Sequence, residues 1–505
     1  MSLKINLKTL NQLTIIYVAI PLLIFLISWL KPYIAVVSFI LFLYAIYAGY
    51  FKNNKFELKN LINNKNFAYT LLLISFLWCY FAGIGGFWYQ SPDHDCRNAI
   101  FRDLINYNWP VYYKSADAAM VYYIGYWLPS AVFAKIFLFI SPMFAFFIGN
   151  IFLLFYSIIG IFLFILHILR AVKIKKCSKS YLIILMLILF SGMDIIGILY
   201  PHFSSYMWHI EWWSLQAQFS SFTTVLFWVF NQGLPSWLLT LMFYNNKNKV
   251  ENFGVIALLC FFCSPLPFMG LAVFLTGYCL KLLFDAYKTK KIGKLVSNIF
   301  SIQNIISVFL ITPIICLYFI SNHSTSANGV ISSITKDYGF FYVSVITYFF
   351  VLEAGLYLIL ISRQYKYELL YYIVFISLIC CPFIKVGYAA DFCMRASIPA
   401  LLILFIMIIK FLFNNYNFRK YKIRYILLCT CLIIGSVTPI IEFTRGFYDV
   451  ITNRSIFRAA DSTKTFEDKI VYNEKDNTLS NSNFLTIKPE TKPFFKYLAK
   501  NKKRS

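Results

Sequence analysis

Residues 142–169 read PMFAFFIGNIFLLFYSIIGIFLFILHIL, a run without one charged side chain. A helical crossing of a bilayer's hydrocarbon core takes about 20 apolar residues. In lipid every backbone amide must find its partner within the protein, so a run of this length reads as a spanning helix. Directly after it come Arg170, Lys173, Lys175, Lys176 and Lys179. Basic residues abutting a span mark its cytoplasmic end.

The pattern recurs along the 505 residues. Apolar runs fall near 13–30, 33–51, 67–85, 142–169, 181–199, 222–243, 253–264, 268–285, 302–320, 339–361, 370–386, 397–413 and 425–442, about thirteen in all. The first has no small-residue cleavage site after it and reads as an anchor rather than a signal peptide. The pair 253–264 and 268–285 is broken at Ser264-Pro265-Leu266-Pro267 and reads as a helical hairpin. Further basic clusters lie at Lys52 to Lys65, Lys288 to Lys294 and Arg419 to Arg424, and the alternate loops hold few. This alternation places the N-terminus in the cytoplasm and the C-terminus outside. Counting residues 119–138 as a span would put Arg170–Lys179 on the wrong side. That segment holds Pro129, Lys135 and several Tyr, so it reads as a helix lying on the outer membrane surface.

Composition agrees. Hydrophobic residues make up 60% and charged ones 13%, against about 25% charged in soluble domains. A soluble enzyme and a disordered chain are both excluded. The net charge of +25 sits in short loop clusters, so no nucleic-acid partner is expected. Most of the twelve cysteines fall in apolar runs and read as packing residues. The expected fold is an all-α polytopic membrane protein in two units. Residues 1–442 form the transmembrane unit, with a first outer loop at about 86–141, and residues 443–505 a small polar extracytoplasmic tail.

Because acids are scarce, those outside the tail stand out. The first outer loop carries Ser91-Pro92-Asp93-His94-Asp95-Cys96-Arg97, then Arg102-Asp103-Leu104 and Trp109-Pro110. Ser91 and Pro92 suit a helix start, and Pro110 should end it. The helix dipole alone would account for Asp93 and Asp95, but not for a histidine and two arginines gathered beside them. A second outer piece holds His202, His209, Glu211, Trp212, Trp213, Gln216 and Gln218. Its tryptophans suit an aromatic belt or a platform for a sugar or isoprenoid. His209 and Glu211 offer two ligands to a divalent cation, too few for a metal site. The outer turn Asp391-Phe392-Cys393-Met394-Arg395 pairs an acid with an arginine at i,i+4 spacing. Arg395 is also placed to grip a phosphate, with Lys385 assisting. Asp194 and Glu353 fall inside apolar runs, where acids face the bundle interior.

The run Asp93-x-Asp95-x-Arg97-x-Ala99, Arg102-Asp103-Leu104, Trp109-Pro110 and Tyr122-Tyr123-Ile124-x-Tyr126-Trp127-Leu128 resembles the first outer loop of GT-C glycosyltransferases. It is most similar to the branch of lipid A aminoarabinose transferases and protein O-mannosyltransferases. The resemblance covers about 45 residues. It implies a catalytic carboxylate, Asp95 or Asp93, and a polyprenyl-phosphate-linked sugar donor in a bacterial inner membrane. Arg395, Arg97, Arg102 and Lys385 would meet the donor phosphate. His209, Glu211, Trp212, Trp213 and Asp391 would line the substrate. No firm cofactor follows. Two extra spans precede the loop, where the family commonly has one, and Ala118-Ala119-Met120 stands where the aminoarabinose branch has Lys-Pro-Pro. The sugar and acceptor therefore do not carry over. A lipid-linked polysaccharide polymerase or ligase is the alternative, which would not need Asp95. A transporter or flippase would lean on Asp194 and Glu353 instead.

Overall fold

A computed structural model describes residues 6–52, 65–114, 116–173, 177–199, 209–214, 217–323, 343–386, 390–414, 418–453, 465–470, 472–473, 478–479 and 482–500. Among these, eight helices are long and apolar enough to cross a membrane. They are α1 (Leu7–Trp29), α2 (Pro32–Tyr50), α6 (Pro142–Val172), α9 (Phe222–Asn245), α11 (Pro265–Lys288), α13 (Ile302–Ile320), α14 (Val343–Tyr365) and the stretch Tyr421–Thr452. That stretch is two helices in line, α18 (Phe418–Gly435) and α19 (Val437–Asn453). Shorter helices fill the bundle: α3 (Lys65–Phe81), α7 (Cys177–Ile188), α10 (Phe253–Cys263), α15 (Leu369–Cys380) and α17 (Ile398–Asn414). Small helices lie between them: α4 (His94–Asn106), α5 (Leu128–Lys135), α8 (Asp194–Gly197), α12 (Ile292–Ile299) and α16 (Asp391–Ala396). The chain is a polytopic helical membrane protein.

Local signals set the long helices. Asn6 caps α1 by accepting from the Thr9 amide at 2.8 Å. Ser141 caps α6 with Pro142 at its first position, and Lys173 ends that helix in the left-handed region. Ser221 caps α9 through the Thr224 amide at 2.9 Å. These caps satisfy amides that a helix start leaves orphaned.

Helix α9 is the axis of the bundle, enclosed by α6, α10, α11 and α17. Its Trp237 stacks on Phe164 at 4.8 Å and on Trp78 at 6.3 Å between ring centroids. Lipid is as apolar as leucine, so such contacts hold helices by close packing, which small residues permit. Gly160 of α6 shows this: a Cβ there would lie 2.4 Å from the Tyr17 hydroxyl and 2.5 Å from Leu234.

Residues 119–138, expected as one surface helix, are built differently. Ala118–Met120 is a strand, β2, antiparallel to β1 (Tyr112–Tyr113), and only Leu128–Lys135 is α-helical. Eight residues rise about 12 Å, so α5 does not cross a bilayer. The strand forms because the C-terminal segment supplies a partner. After the short pair β3 (Tyr472–Asn473) and β4 (Thr478–Leu479), strand β5 (Leu485–Ile487) joins β2 in the register Ala118 to Ile487 and Met120 to Leu485. The chain then crosses to the α1–α2 turn. Lys31 donates its amide to the Leu498 carbonyl at 2.8 Å, and Lys500 to that of Trp29 at 2.9 Å. Helix α19 runs through residue 443 without a break.

Candidate functional site

Helix α4 is pinned to the bundle by a gap in another helix. Val229 of α9 has φ −139° and ψ 38°, outside the helical region. A kink there releases the preceding carbonyl from the ladder, and a freed carbonyl inside a membrane needs a donor. Arg97 supplies it: its guanidinium donates to the Trp228 carbonyl and, at 2.9 Å, to the Asp93 carboxylate. His94 stacks on Phe230 just past the kink. Burial and Arg97 push the His94 imidazole down to about 3, so it is neutral. The expected Ser91 cap takes another form, because its hydroxyl meets His94 Nδ1 at 3.0 Å instead of a backbone amide. Beyond the kink, the buried Asn231 and Gln232 amides have no partner among the described residues.

Trp228 also reaches the other way. Its indole N–H donates to Glu442 Oε2 at 3.1 Å. Glu442 Oε1 is 2.9 Å from His209 Nδ1, and Arg445 donates to Oε2. His209 lies between the Trp212 and Trp228 rings, at 4.6 and 4.7 Å. Glu211 accepts from Gln218 Nε2 at 2.8 Å and from the Ser221 amide at 3.0 Å, so it helps cap α9. Burial raises its carboxyl to about 7, with Asp194 and Glu442 adding and His209 opposing.

Asp194 stands at a helix break rather than inside a span. Helix α7 stops at Ile188, and Asp194 opens the short α8. It accepts from Thr438 at 2.7 Å and Ser191 at 3.1 Å. Glu353 sits on a π-helical turn, Val351–Gly355, and accepts from the Trp213 indole at 3.2 Å. Gly192 leaves room for that carboxylate, since a Cβ there would fall 1.7 Å from Glu353 Oε2.

Arg395 approaches from α16. It pairs with Asp391, the local i,i+4 contact expected from the sequence, and is almost wholly buried while Asp391 is 41% exposed. Its Nε is buried with no partner among the described residues. Tyr122 connects it to α4. Burial and Tyr123 push the Tyr122 phenol well above its ordinary range, and Arg97 and Arg395 both pull it back. Two guanidiniums from segments far apart in the chain therefore act on one phenol. Tyr318 holds Tyr122 by both backbone groups, accepting from its amide at 3.1 Å and donating to its carbonyl at 3.0 Å. Phe484 of the C-terminal segment packs on its ring at 4.5 Å.

The structure thus sets two ion pairs, Arg97 with Asp93 and Arg395 with Asp391, whose arginines both act on Tyr122. It joins His209, Trp212 and Trp228 to Glu442, with Glu211 next to them. Asp95 is exposed on the first turn of α4. Trp213 faces inward to Glu353, whereas Trp212 is 44% exposed. Arg102 lies apart, with its guanidinium 4.4 Å above the Phe146 ring on the α6 side of α4. Lys385 is half-buried in the stretch before α16. His202, Gln216, Lys175 and Lys176 fall outside the described residues. No group of three His, Cys, Asp or Glu able to hold a metal occurs among the described residues. Sequence reasoning passed over Trp228, Glu442 and Arg445. The Glu442 to Arg445 spacing, in a chain poor in acids, was the available signal. No protein-family model matches the chain, and neither does any curated protein or solved structure.

Proposed function

We propose that this chain is an integral membrane glycosyltransferase of GT-C type. It moves a sugar from a polyprenyl-phosphate donor to an extracytoplasmic acceptor in a bacterial inner membrane. The observation that carries the reading is that Arg97 and Arg395 are both buried and both within electrostatic reach of Tyr122, and that the buried Nε of Arg395 has no partner among the described residues. Guanidinium groups are the preferred partners of phosphate oxygens. The cluster sits one turn from two helix-borne carboxylates. The base in this reading is Asp95, exposed on the first turn of α4, with Asp93, which pairs with Arg97, as the alternative. Asp95 takes the proton of the acceptor hydroxyl, whose oxygen attacks the anomeric carbon. The bond from that carbon to the donor phosphate breaks, and the phosphate leaves with the electron pair. Arg395 and Arg97 meet its charge.

The eight long helices, the shorter apolar ones and Lys65–Phe81 support a reading of thirteen crossings. The N-terminus is then cytoplasmic and the cluster extracytoplasmic. The test is turnover of a short-chain polyprenyl-phosphate sugar in proteoliposomes. Removing a general base costs roughly 10²–10⁴-fold, so Asp95→Asn should lose at least a hundredfold with normal insertion. Arg395→Ala should lose about 10–150-fold, the worth of a charge-assisted contact. Near wild-type turnover in both variants would end the glycosyltransferase reading. Loss in Arg395→Ala alone would favour the polymerase or ligase, which keeps the lipid-phosphate donor but needs no base on α4.

A further inference from the structure

At the other end of the bundle, α6, α9 and α17 finish around a cavity of about 420 Å³. Counted from Trp228 to Asn245 along α9, it lies roughly 25 Å from the arginine cluster by helical rise. Its wall holds Arg170, Lys173, Lys247, Lys249 and Lys410 and, among the described residues, no carboxylate. We propose that this cavity binds a phosphate-bearing anion at the membrane surface, either a phospholipid headgroup or a free phosphate or diphosphate.

Basic loops normally spread their charges into water, where they repel weakly. Here the cations are drawn together. The Lys410 ammonium donates to the Tyr244 hydroxyl at 2.8 Å and lies 5.0 Å from its ring. The Lys247 ammonium stands 5.7 Å from the same ring and 5.4 Å from that of Tyr278. Two ammonium groups thus meet one aromatic ring. Lys247 and Lys173 both repel the Lys410 ammonium, and at the edge of a low-dielectric bundle an anion among them would relieve that repulsion. The walls are fixed rather than loose. Asn245 donates to the His167 carbonyl at 3.3 Å, and Asn246 to that of Met242 at 2.9 Å. Lys173 is held in the left-handed region at the end of α6. Among the described residues, Glu251 reaches Lys249 and Glu368 reaches Lys410 and Tyr244 electrostatically, but neither takes part in the wall. Basic recesses between spanning helices are where anionic headgroups settle.

The helix dipole offers a simpler account of cations near the ends of α6 and α9. It does not explain why Lys247 and Lys410 turn toward Tyr244 rather than toward terminal carbonyls. The proposal stands independently of the glycosyltransferase reading.

The test uses the purified full-length chain. Calorimetric titration with inorganic pyrophosphate probes a free anion. Native mass spectrometry from nanodiscs of phosphatidylcholine with or without phosphatidylglycerol probes a headgroup. The variants are Lys410→Gln and, since Lys410 is partly buried and its loss could disturb folding, Lys173→Asn with Lys247→Gln at the rim. Asn suits the left-handed position of Lys173. Each lost cation should weaken the bound species about tenfold or more. Pyrophosphate binding without lipid retention assigns the site to a free anion. Selective phosphatidylglycerol retention without pyrophosphate binding assigns it to a headgroup. If neither probe binds, or neither set of variants weakens binding, the proposal is overturned.

Discussion

Asp103 couples the first outer loop to the C-terminal segment through one carboxylate. Its Oδ2 accepts from the Tyr113 hydroxyl at 2.9 Å and from the Phe466 amide at 3.0 Å. Burial nonetheless raises the carboxyl from its ordinary range to about 7, with Glu467 and Asp468 adding to the rise and the two hydrogen bonds opposing it. The folded state therefore binds this proton more tightly than the unfolded chain does. Between about pH 4 and pH 7 the native state carries more protons, so stability contributed here falls as pH rises and levels off above 7. The change is on the order of a few kcal/mol. An Asp103→Asn variant keeps an acceptor for both donors and has no proton to lose. Its melting temperature in detergent should fall less than that of the wild type across this window. Parallel profiles would show that Asp103 is not the group responsible.

At the scale of elements, the interruptions do the positioning. The kink at Val229 exposes the carbonyl that Arg97 takes, and the break before α8 places Asp194 against Thr438 of α19. A π-turn at Val351–Gly355 brings Glu353 over Gly192. Helices with unbroken ladders would offer no such partners, and π-turns recur where function needs a side chain re-aimed. Gly192 is the tightest of these approaches. A methyl group there would force Glu353 and its backbone aside, and overpacking of this kind costs about 1–3 kcal/mol. Gly192→Ala should lower the thermal midpoint in detergent by several degrees while the helical signal persists. An unchanged midpoint would show that the α8–α14 contact relaxes without cost. At the end of α4, Lys135 donates to the Ile105 and Tyr107 carbonyls at 2.9 and 2.6 Å. A side chain on α5 thus closes the helix that carries the acidic pair.

For the whole molecule, the two ends of the bundle carry opposite roles. One end gathers acids, tryptophans and arginines, and the other holds the basic wall of Arg170, Lys173, Lys247, Lys249 and Lys410. The C-terminal segment belongs to the first end through β5 and the α1–α2 turn. The orientation this implies is directly measurable. A cysteine at Thr491 should react with a membrane-impermeant thiol reagent added outside intact cells. A cysteine at Gly293, where a Cβ meets nothing within 4 Å, should react only after permeabilisation. Reversed labelling would invert the topology and move the arginine cluster to the cytoplasm.

The features legible in the chain follow from physics acting over short distances. Apolar runs of bilayer length had to be helices, because no other local structure satisfies their amides in lipid. The Asp391 and Arg395 pair was legible because i,i+4 neighbours on a helix meet wherever that helix goes. The apolar character of Ala118-Ala119-Met120 did not announce a strand, since its hydrogen bonds are completed by residues 485–487, supplied from the far end of the chain. Likewise the contact of His209 with Glu442 spans 233 positions. Nothing in either neighbourhood specifies the other; only packing of α19 against α9 brings them together. The kink at Val229 was equally silent, because no proline stands at the bend itself and the carbonyl it frees is claimed by an arginine 131 residues earlier. Local chemistry decided which segments enter the membrane. Tertiary structure decided which of the scarce charges share a site, because a charge buried in lipid takes its partner from whatever element the fold delivers beside it.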